Sequence, residues 1–324
     1  MSQETSGHVI ADRRFEMAQH LASRGELLEA TELLEQTVEL VPEWAVLHFR
    51  LGEFYMMLER RDEALKAFTS CLAIDPDDRL GAIIKLSLLG ASPRPQTLPT
   101  GYVEALFDDY ADRFDQALLE NLGYRVPWII ADAIEKVRPY AEDTAEIILD
   151  LGCGTGLGGE AIAKRASWLE GVDMSAGMLT QADQKRIYHH TEHSEAVSYL
   201  LQCEKHFDVI MAADVLVYMG DLEDLFLAVS KRLSSWGLFA FSTQILESGT
   251  YMLGGDHRYA HSAAYIESCA AGAGLKVLHM ERSFIRHDGH SDIYGQVAVL
   301  GKVHQDAVST PLFLTSPKRD RVGE

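Results

Sequence analysis

The feature that most constrains the fold is ILDLGCGTGLGG, residues 148–159, where an apolar run leads into five glycines within eight residues. The run EIILDL, residues 146–151, predicts a buried strand, and the residues after the glycines predict a helix. A strand, a glycine-rich turn and a helix in this order allow a nucleotide-type ligand to approach the backbone closely. We therefore expect an α/β domain with a ligand site at this turn.

Two glycine patterns overlap in this turn. Gly152, Gly154 and Gly156 form GxGxG, whereas Gly154, Gly156 and Gly159 form the GxGxxG of dinucleotide sites. If the turn began at Gly154, Asp150 would lie inside a buried strand, where an unpaired carboxylate is costly. If it begins at Gly152, Asp150 is the last polar residue of the strand, at the carboxyl edge where ligands bind. The sequence therefore predicts that the turn begins at Gly152.

A carboxylate at the Asp150 position suits an ammonium group better than a pyrophosphate. S-adenosylmethionine supplies an ammonium and carries no phosphate. WLEGVDMSAGML, residues 168–179, predicts a second strand that ends at Asp173 and a helix that starts at Ser175. Asp173 lies at the tip of the neighbouring strand, where it could accept hydrogen bonds from ribose hydroxyls. Dinucleotide enzymes use an acid there too, so an NAD-dependent oxidoreductase stays open as an alternative.

The rest of the chain predicts the remaining strands of a doubly wound sheet. Strand four is expected at Asp208–Ala212, strand five at WGLFAFSTQ (236–244), and two final strands at 274–286 and 293–303. The segment YHHTEHSEAV, residues 188–197, stands where strand three belongs but is unusually polar for a central strand. A long terminal hairpin is not the usual ending of a dehydrogenase.

An internal repeat of 34 residues precedes the glycine turn. Ala30 and Ala64 are 34 residues apart, and so are Pro42 and Pro76. Each unit has two blocks with helical spacing, and a proline ends the second block. The second unit resembles a tetratricopeptide repeat (TPR), and its matching residues are Leu51, Gly52, Tyr55, Ala64, Phe68 and Pro76. A groove for a peptide or protein partner and a merely structural helical cap are equally open readings.

The segment SPRPQTLPTG, residues 92–101, contains three prolines and cannot continue a helix. We therefore expect a TPR-like helical domain at 1–96, an α/β domain at 97–304 and a disordered tail at 305–324. The α/β domain begins with a lid and first helices at 102–143. Aromatic and leucine residues recur there every four positions, a spacing typical of one helix face, and these are Tyr102, Leu106, Tyr110 and Phe114.

Composition narrows the functional classes. The formal net charge of −20 disfavours nucleic acid and anionic membranes as partners. The four cysteines are widely spaced and form no CxxC pair, which is typical of a reducing compartment. No apolar run is long enough to span a bilayer. These observations predict a cytoplasmic protein.

Residues 102–303 resemble a class I S-adenosylmethionine-dependent methyltransferase, and the TPR segment before them resembles the bacterial TPR-methyltransferase proteins. The stretches that carry the resemblance include LDLGCGTG, GVDMS, FDVIMAADVLVYMGDLE and RYAHS. The resemblance implies a seven-stranded Rossmann-like sheet with an antiparallel terminal strand, and S-adenosylmethionine as cofactor. The cofactor-binding residues it implies are Asp150, Gly152, Cys153, Gly154, Gly156, Asp173, Met174, Glu195, Ala213, Asp214 and Tyr110.

Within that implied site, Asp173 would take the ribose, Met174 would pack on the adenine and Glu195 would approach the adenine amino group. Tyr110 would close over the cofactor. Candidate catalytic residues near the methyl acceptor are Asp214, Tyr218, Tyr259 and His261. A general base is needed only if the acceptor arrives protonated. The acceptor is expected to be an O or N nucleophile of a small molecule or of a peptide recruited by the repeats.

Two other functions, a zinc peptidase and an adaptor without catalysis, have some support in the sequence. HHTEH, residues 189–193, matches the HxxEH pattern of a zinc peptidase family. That pattern requires a helix, whereas this stretch lies at the predicted third strand, so no metal is expected. A TPR adaptor that binds the cofactor without catalysis is the second alternative, and the intact acids and aromatic lid argue against it.

Overall fold

The structure, a computed structural model, describes residues 5–116, 118–119, 122–141, 145–288 and 291–303. The tail expected at 305–324 lies outside these residues. Across the described ranges, no helix is both long and apolar enough to cross a membrane.

The N-terminal region consists of antiparallel helix pairs. Its helices are α1 (Val9–Ser23), α2 (Leu27–Val38), α3 (Ala45–Met57), α4 (Arg61–Ile74) and α5 (Ala82–Leu88). Ala30 and Ala64, the small residues of the 34-residue repeat, are fully buried between the helices. At Gly52 an added Cβ would lie 2.6 Å from the Phe68 ring, so α3 and α4 approach at a distance that only glycine permits. Both units of the predicted repeat are therefore helix pairs, and α5 follows them.

A single sheet forms the centre of the C-terminal region. Its described strands are β1 (Glu146–Leu151), β2 (Ala166–Asp173), β3 (His190–His193), β4 (Phe207–Ala212), β5 (Leu233–Ile245), β6 (Tyr251–Leu253), β7 (Tyr259–His261), β8 (Leu275–Asp288) and β9 (Ser291–Lys302). Strands β3, β2, β1, β4 and β5 lie side by side and run parallel. β9 pairs antiparallel with β5, and β8 pairs antiparallel with β9. The Rossmann-like sheet with an antiparallel terminal strand is confirmed.

Helices cover both faces of the sheet. They are α6 (Thr100–Tyr110), α7 (Phe114–Gln116), α8 (Val126–Val137), α9 (Leu157–Ile162), α10 (Ala176–Gln184), α11 (Ala196–Gln202), α12 (Glu223–Arg232) and α13 (Ala263–Gly272). Pro127 lies in the first turn of α8, where its missing N–H costs nothing. The hydroxyls of Ser175 and Ser262 accept N-capping bonds from the first turns of α10 and α13.

The sheet also contains a short hairpin that the sequence did not predict. β6 and β7 pair with each other, and β7 continues the sheet by pairing with the last two residues of β5, Gln244 and Ile245. The chain is extended from Tyr259 to His261, and α13 begins directly after Ser262. Three-residue strands carry too few residues to show a period of two.

The proline-rich junction packs against the C-terminal region. The carbonyl of Gln96 accepts hydrogen bonds from the Gly220 and Asp221 N–H groups at 2.7 and 2.9 Å, and the Leu98 N–H donates to the Tyr218 carbonyl at 2.9 Å. A shared apolar cluster joins α5, the junction, α6 and the short hairpin, and it contains Ile84, Leu98, Val103, Leu253 and Tyr259. The two regions therefore meet through a continuous apolar contact.

Candidate active site

A cavity of about 610 Å³ opens at the carboxyl ends of the parallel strands. This edge, where the order changes between β1 and β4, is the usual ligand position in doubly wound sheets. Its walls come from the glycine turn, the tips of β2 and β4, the lid helix α6 and the junction. The sequence-predicted residues on its wall are Tyr110, Asp150, Gly152, Cys153, Gly154, Asp173, Met174, Glu195, Ala213, Asp214 and Tyr218.

The glycine turn begins at Gly152, in the predicted register. β1 ends at Leu151, and α9 begins at Leu157, directly after Gly156. Gly152, Gly154 and Gly156 have φ angles of 71°, 54° and 95°, a region that favours glycine. A Cβ at Gly152 would overlap the Val215 side chain, whereas Gly154 faces open space. Gly154 thus leaves the backbone accessible to a ligand, while Gly156, which does not line the cavity, shapes the turn.

Asp173 connects the tip of β2 to the glycine turn. Its carboxylate accepts hydrogen bonds from the Gly154 N–H and the Ser175 N–H, both at 2.8 Å. Burial raises the pKa of Asp173, and these backbone donors oppose the rise. The side chain therefore holds the turn in place and presents its remaining acceptor positions to the cavity.

Asp150 is almost fully buried, at 1% exposure, beneath the glycine turn. The Tyr188 hydroxyl donates to its carboxylate at 2.6 Å. Burial raises the pKa of Asp150 to about 7, and the negative charge of nearby Asp173 adds to the rise. A cation brought to this side of the cavity would favour the ionised carboxylate.

Tyr188 supports the turn from below, and the sequence did not single it out. Its hydroxyl accepts from the Gly159 N–H at 3.2 Å while donating to Asp150. Added Cβ atoms at Gly159 and Gly171 would lie 2.6 and 2.9 Å from its side chain. The glycines around it were the available signal, because several of them together leave room for one large ring.

Carboxylates fasten the lid to the start of α10 and to the glycine turn. Asp108 on α6 accepts from the Ser175 hydroxyl at 2.5 Å and from the Gly177 N–H at 3.0 Å, at the start of α10. Asp115 accepts from the Thr155 hydroxyl inside the glycine turn. These bonds place Tyr110 and Phe114 on the cavity wall. Their rings lie edge to face, with centroids 5.6 Å apart.

Three other predicted cofactor residues surround the β2 end of the cavity. Met174 follows Asp173 directly, and its carbonyl accepts from the His193 ring at 2.8 Å. Glu195 lines the cavity, but its carboxylate caps α11 by accepting from the Val197 and Ser198 N–H groups at 2.9 and 2.7 Å. Cys153 is buried, and burial raises the pKa of its thiol well above the usual range.

The opposite end of the cavity, beyond β4, contains Asp214, Tyr218 and Arg258. Asp214 has a φ of 57°, which is uncommon outside glycine. Its N–H donates to the Ser242 hydroxyl at 2.9 Å, and that hydroxyl donates back to the Asp214 carboxylate at 3.0 Å. The Arg258 guanidinium lies 5.8 Å from the Tyr218 ring centroid. Burial raises the pKa of Tyr218.

Tyr259 and His261, two predicted catalytic residues, are fully buried and do not line the cavity. The Tyr259 hydroxyl donates to the Pro95 carbonyl, within the contact between the two regions. The His261 ring bonds the Gly220 carbonyl at 3.1 Å, and burial lowers the pKa of His261 to about 4. This placement gives both residues packing contacts and does not support a direct role with substrate.

The HHTEH stretch forms the short strand β3 and not a helix. His189 accepts from the Leu169 N–H at 3.0 Å, and its ring stacks on Trp168. Within the described residues, no group of three or more histidine, cysteine or acidic side chains is arranged to hold a metal ion.

Comparison with known families separates the interpretations that the glycine turn left open. A family model described as a methyltransferase domain matches residues 149–239, from the end of β1 to β5. A tetratricopeptide-repeat model matches residues 45–78, the second helical unit. The combination expected from the resemblance is confirmed, and the methyltransferase match is the finding that disfavours an oxidoreductase.

Several named proteins are similar to parts of the chain. The ubiquinone biosynthesis O-methyltransferase of Rickettsia bellii is 28% identical over 129 residues, which cover 37% of this chain and 52% of that protein. Human methyltransferase-like protein 27 is 39% identical over 83 residues, 25% of this chain and 33% of that protein. The chain thus matches about half the length of the ubiquinone enzyme.

Solved structures with a similar fold include two methyltransferases. Magnesium protoporphyrin IX methyltransferase from Synechocystis PCC 6803, solved with bound SAM, has a TM-score of 0.49 and 14% identity and covers 63% of this chain and 97% of its own. The 1,6-didemethyltoxoflavin-N1-methyltransferase of Burkholderia thailandensis has a TM-score of 0.49 and 14% identity, and the match covers 66% of this chain and 94% of that protein.

Proposed function

We propose that this protein is an S-adenosylmethionine-dependent methyltransferase. The observation that carries the proposal is the arrangement of acids around the glycine turn. Asp150 and Asp173 lie at the ends of adjacent strands, on the wall of one cavity, and Gly154 presents open backbone between them. This set offers carboxylates for an ammonium group and for ribose hydroxyls, and among the described residues that line this end of the cavity there is no lysine or arginine for a pyrophosphate.

Each residue on the β1–β2 side has a role in holding the cofactor. Asp173 would accept from the ribose, and Asp150 would balance the ammonium charge. Met174 and Glu195 would border the adenine, Glu195 through its side-chain stem and backbone because its carboxylate caps α11. Tyr110 and Phe114 would cover the bound nucleoside and exclude water.

S-adenosylmethionine supplies a methyl group on a positively charged sulfur, ready for transfer to an oxygen or nitrogen nucleophile. The protein's contribution is to align the acceptor and to keep water away. Asp214 and Tyr218 border the acceptor end of the cavity and are the two predicted catalytic residues that can contact a substrate there. Asp214, held by Ser242 on one oxygen, keeps its second carboxylate oxygen for an acceptor proton or for the cofactor.

We also propose what the methyl acceptor is and how it reaches the cavity. The acceptor is an O or N nucleophile of a small molecule, or of a peptide recruited by the helical units. The match of residues 45–78 to a tetratricopeptide repeat supports a recruiting role. Free cysteines at all four described positions support the cytoplasmic location proposed from their spacing.

Calorimetric titration with S-adenosylhomocysteine tests the cofactor assignment. The full chain should bind it, and Asp173→Ala should weaken binding by about tenfold or more, the usual cost of a lost charged hydrogen bond. Asp132→Ala, an exposed acid on α8, is the matched control and should bind as the wild type does. Thermal unfolding of Asp173→Ala shows whether the fold survives, because Asp173 also holds the glycine turn.

The outcomes separate the alternatives. No binding of S-adenosylhomocysteine to the intact chain would overturn the proposal, and a change in NADH fluorescence on mixing would favour an oxidoreductase. Binding without transfer of labelled methyl to any component of a cell extract would favour the adaptor that does not catalyse.

A further inference from the structure

The acceptor end of the cavity carries two arginines in a protein whose net charge is −20. Arg258 comes from the turn between β6 and β7, and Arg286 comes from β8. Both lie on the β4–β5 side of the sheet, whereas Asp150, Asp173 and Glu195 lie on the β1–β3 side. The cavity is therefore divided by charge, with acids where the cofactor is proposed and guanidinium groups where the acceptor would enter.

Arg258 is incompletely paired. Its Nη1 atom is buried and has no hydrogen-bond acceptor in the described part of the chain. The nearest carboxylate oxygen, on Asp214, is 3.9 Å from Nη1, beyond hydrogen-bond range. A buried guanidinium N–H without an acceptor is costly unless a ligand supplies one. Two carboxylates act electrostatically on Arg258, Asp214 on the cavity wall and Asp256 in the exposed turn, and neither supplies Nη1 with a hydrogen-bond acceptor.

The β6–β7 hairpin holds Arg258 at this position. The Gly254 N–H donates to the Arg258 carbonyl at 2.8 Å, and Gln244 on β5 donates to Asp256 in the same turn at 3.0 Å. The Tyr102 hydroxyl and the His257 ring are 3.0 Å apart, which ties the turn to α6. The backbone at Arg258 is therefore held by the bond to its own carbonyl and by the side-chain bonds of the two residues before it, and the guanidinium lies on the cavity wall.

The surroundings of the arginines are aromatic and apolar. Tyr218 lies under Arg258. Burial raises the pKa of Tyr218, the charges of Arg258 and Arg286 oppose this rise, and those of Asp214 and Asp256 add to it. Phe107 contacts Tyr218 edge to face at 5.4 Å, and both line the cavity together with Tyr124. A flat apolar body with one negatively charged end matches such walls.

We propose that the methyl acceptor is an aromatic or similarly flat carboxylate whose anionic group binds Arg258 and Arg286. This inference rests on the proposed function, because it assigns the acceptor of that same site. The planar guanidinium groups offer paired N–H donors to a carboxylate, a geometry that a neutral amide or ester does not match.

Calorimetry on the chain saturated with S-adenosylhomocysteine tests the inference. The probes are benzoate, cinnamate and 4-hydroxybenzoate, each titrated beside its own amide. At least one acid should bind, and bind more tightly than its amide. Arg258→Gln and Arg286→Gln should each weaken binding of that acid about tenfold to hundredfold, the range for a hydrogen bond to a charged group, and should leave amide binding unchanged.

Arg282→Gln is the matched control, because Arg282 lies on β8 with Arg286 but is exposed and does not line the cavity. It should bind the acids as the wild type does. Arg258→Lys should retain part of the acid preference, since lysine keeps the positive charge and lacks the paired N–H donors of the guanidinium group.

Three results would overturn the inference while S-adenosylhomocysteine still binds the wild type. They are an absence of acid-over-amide preference for every pair, a preference that survives Arg258→Gln and Arg286→Gln, and a loss of S-adenosylhomocysteine affinity in the arginine variants. The last result would show that the arginines bind the carboxylate of the cofactor. If S-adenosylhomocysteine fails to bind the wild type, the proposed function itself fails.

Discussion

Asp150 makes the unliganded protein less stable as the pH rises, which is the opposite of the effect of a carboxyl group whose pKa is lowered by folding. The carboxyl group is buried beneath the glycine turn, and its pKa is raised from 3.8 to about 7, chiefly by burial. A group whose pKa is higher in the folded state stabilises that state when protonated. The contribution is complete below the unfolded pKa of about 4 and is lost as the pH rises through 7.

The size of the effect follows from the shift. About three pKa units, from 3.8 to about 7, correspond to about 4 kcal/mol of stability lost between pH 4 and pH 8. Asp150→Asn keeps the shape of the side chain and cannot ionise. The variant should therefore become more stable than the wild type as the pH rises. The gap between their free energies of unfolding should open between pH 4 and 7 and stay constant above about pH 8.

Urea unfolding of the unliganded chain at several pH values, followed by tryptophan fluorescence, measures this gap. Three of the four tryptophans lie in the α/β part of the chain. The control is Asp132→Asn, on an exposed face of α8, which should show a gap that does not change with pH. A gap for Asp150→Asn that is constant, or that closes as the pH rises, would refute the argument. Saturation with S-adenosylhomocysteine should reduce the gap, because an ammonium near Asp150 favours the charged carboxylate.

Three other changes have expected outcomes. Gly52→Ala places a methyl 2.6 Å from the Phe68 ring and should destabilise the helical units by about 1–3 kcal/mol, measured by urea unfolding followed at the helical ellipticity. Gly152→Ala should destabilise the protein more than Gly154→Ala, because only the first adds a steric overlap to the positive φ; equal melting temperatures would contradict this. Asp108→Ala removes two bonds between lid and sheet and should weaken binding of S-adenosylhomocysteine severalfold without lowering the melting temperature by more than a few degrees.

The glycine turn was predictable because its chemistry is local in the sequence. A strand that ends at Leu151 and a carboxylate two residues before the first glycine indicate the register and favour an ammonium-bearing ligand, whereas the acid at the next strand tip indicates a nucleoside of either class. The repeat was predictable for a similar reason, since the same small residues recur 34 positions apart and each must fit between two helices. Both features can be recognised from a few consecutive helices or strands of the chain.

The residues that the sequence did not reveal depend on contacts between distant segments. Tyr188 reaches Asp150 across 38 positions, and Arg258 enters the cavity from a hairpin whose strands are three residues long. The sequence predicts Tyr259 and His261 as catalytic because their chemistry suits the role. Their local sequence gives no sign that the junction at Pro95 and the loop at Gly220 enclose them.

The junction between the two regions has a practical consequence for dissecting this protein. Thr97, Leu98 and Thr100 belong to the cavity wall, although they precede the methyltransferase match by about fifty positions. A fragment that started at Thr100, the first residue of α6, would lose Thr97 and Leu98 from that wall and the bonds from Gln96 to the loop that carries Tyr218. Any shortened version meant for ligand measurements should therefore begin at or before Ser92, upstream of the whole proline-rich segment.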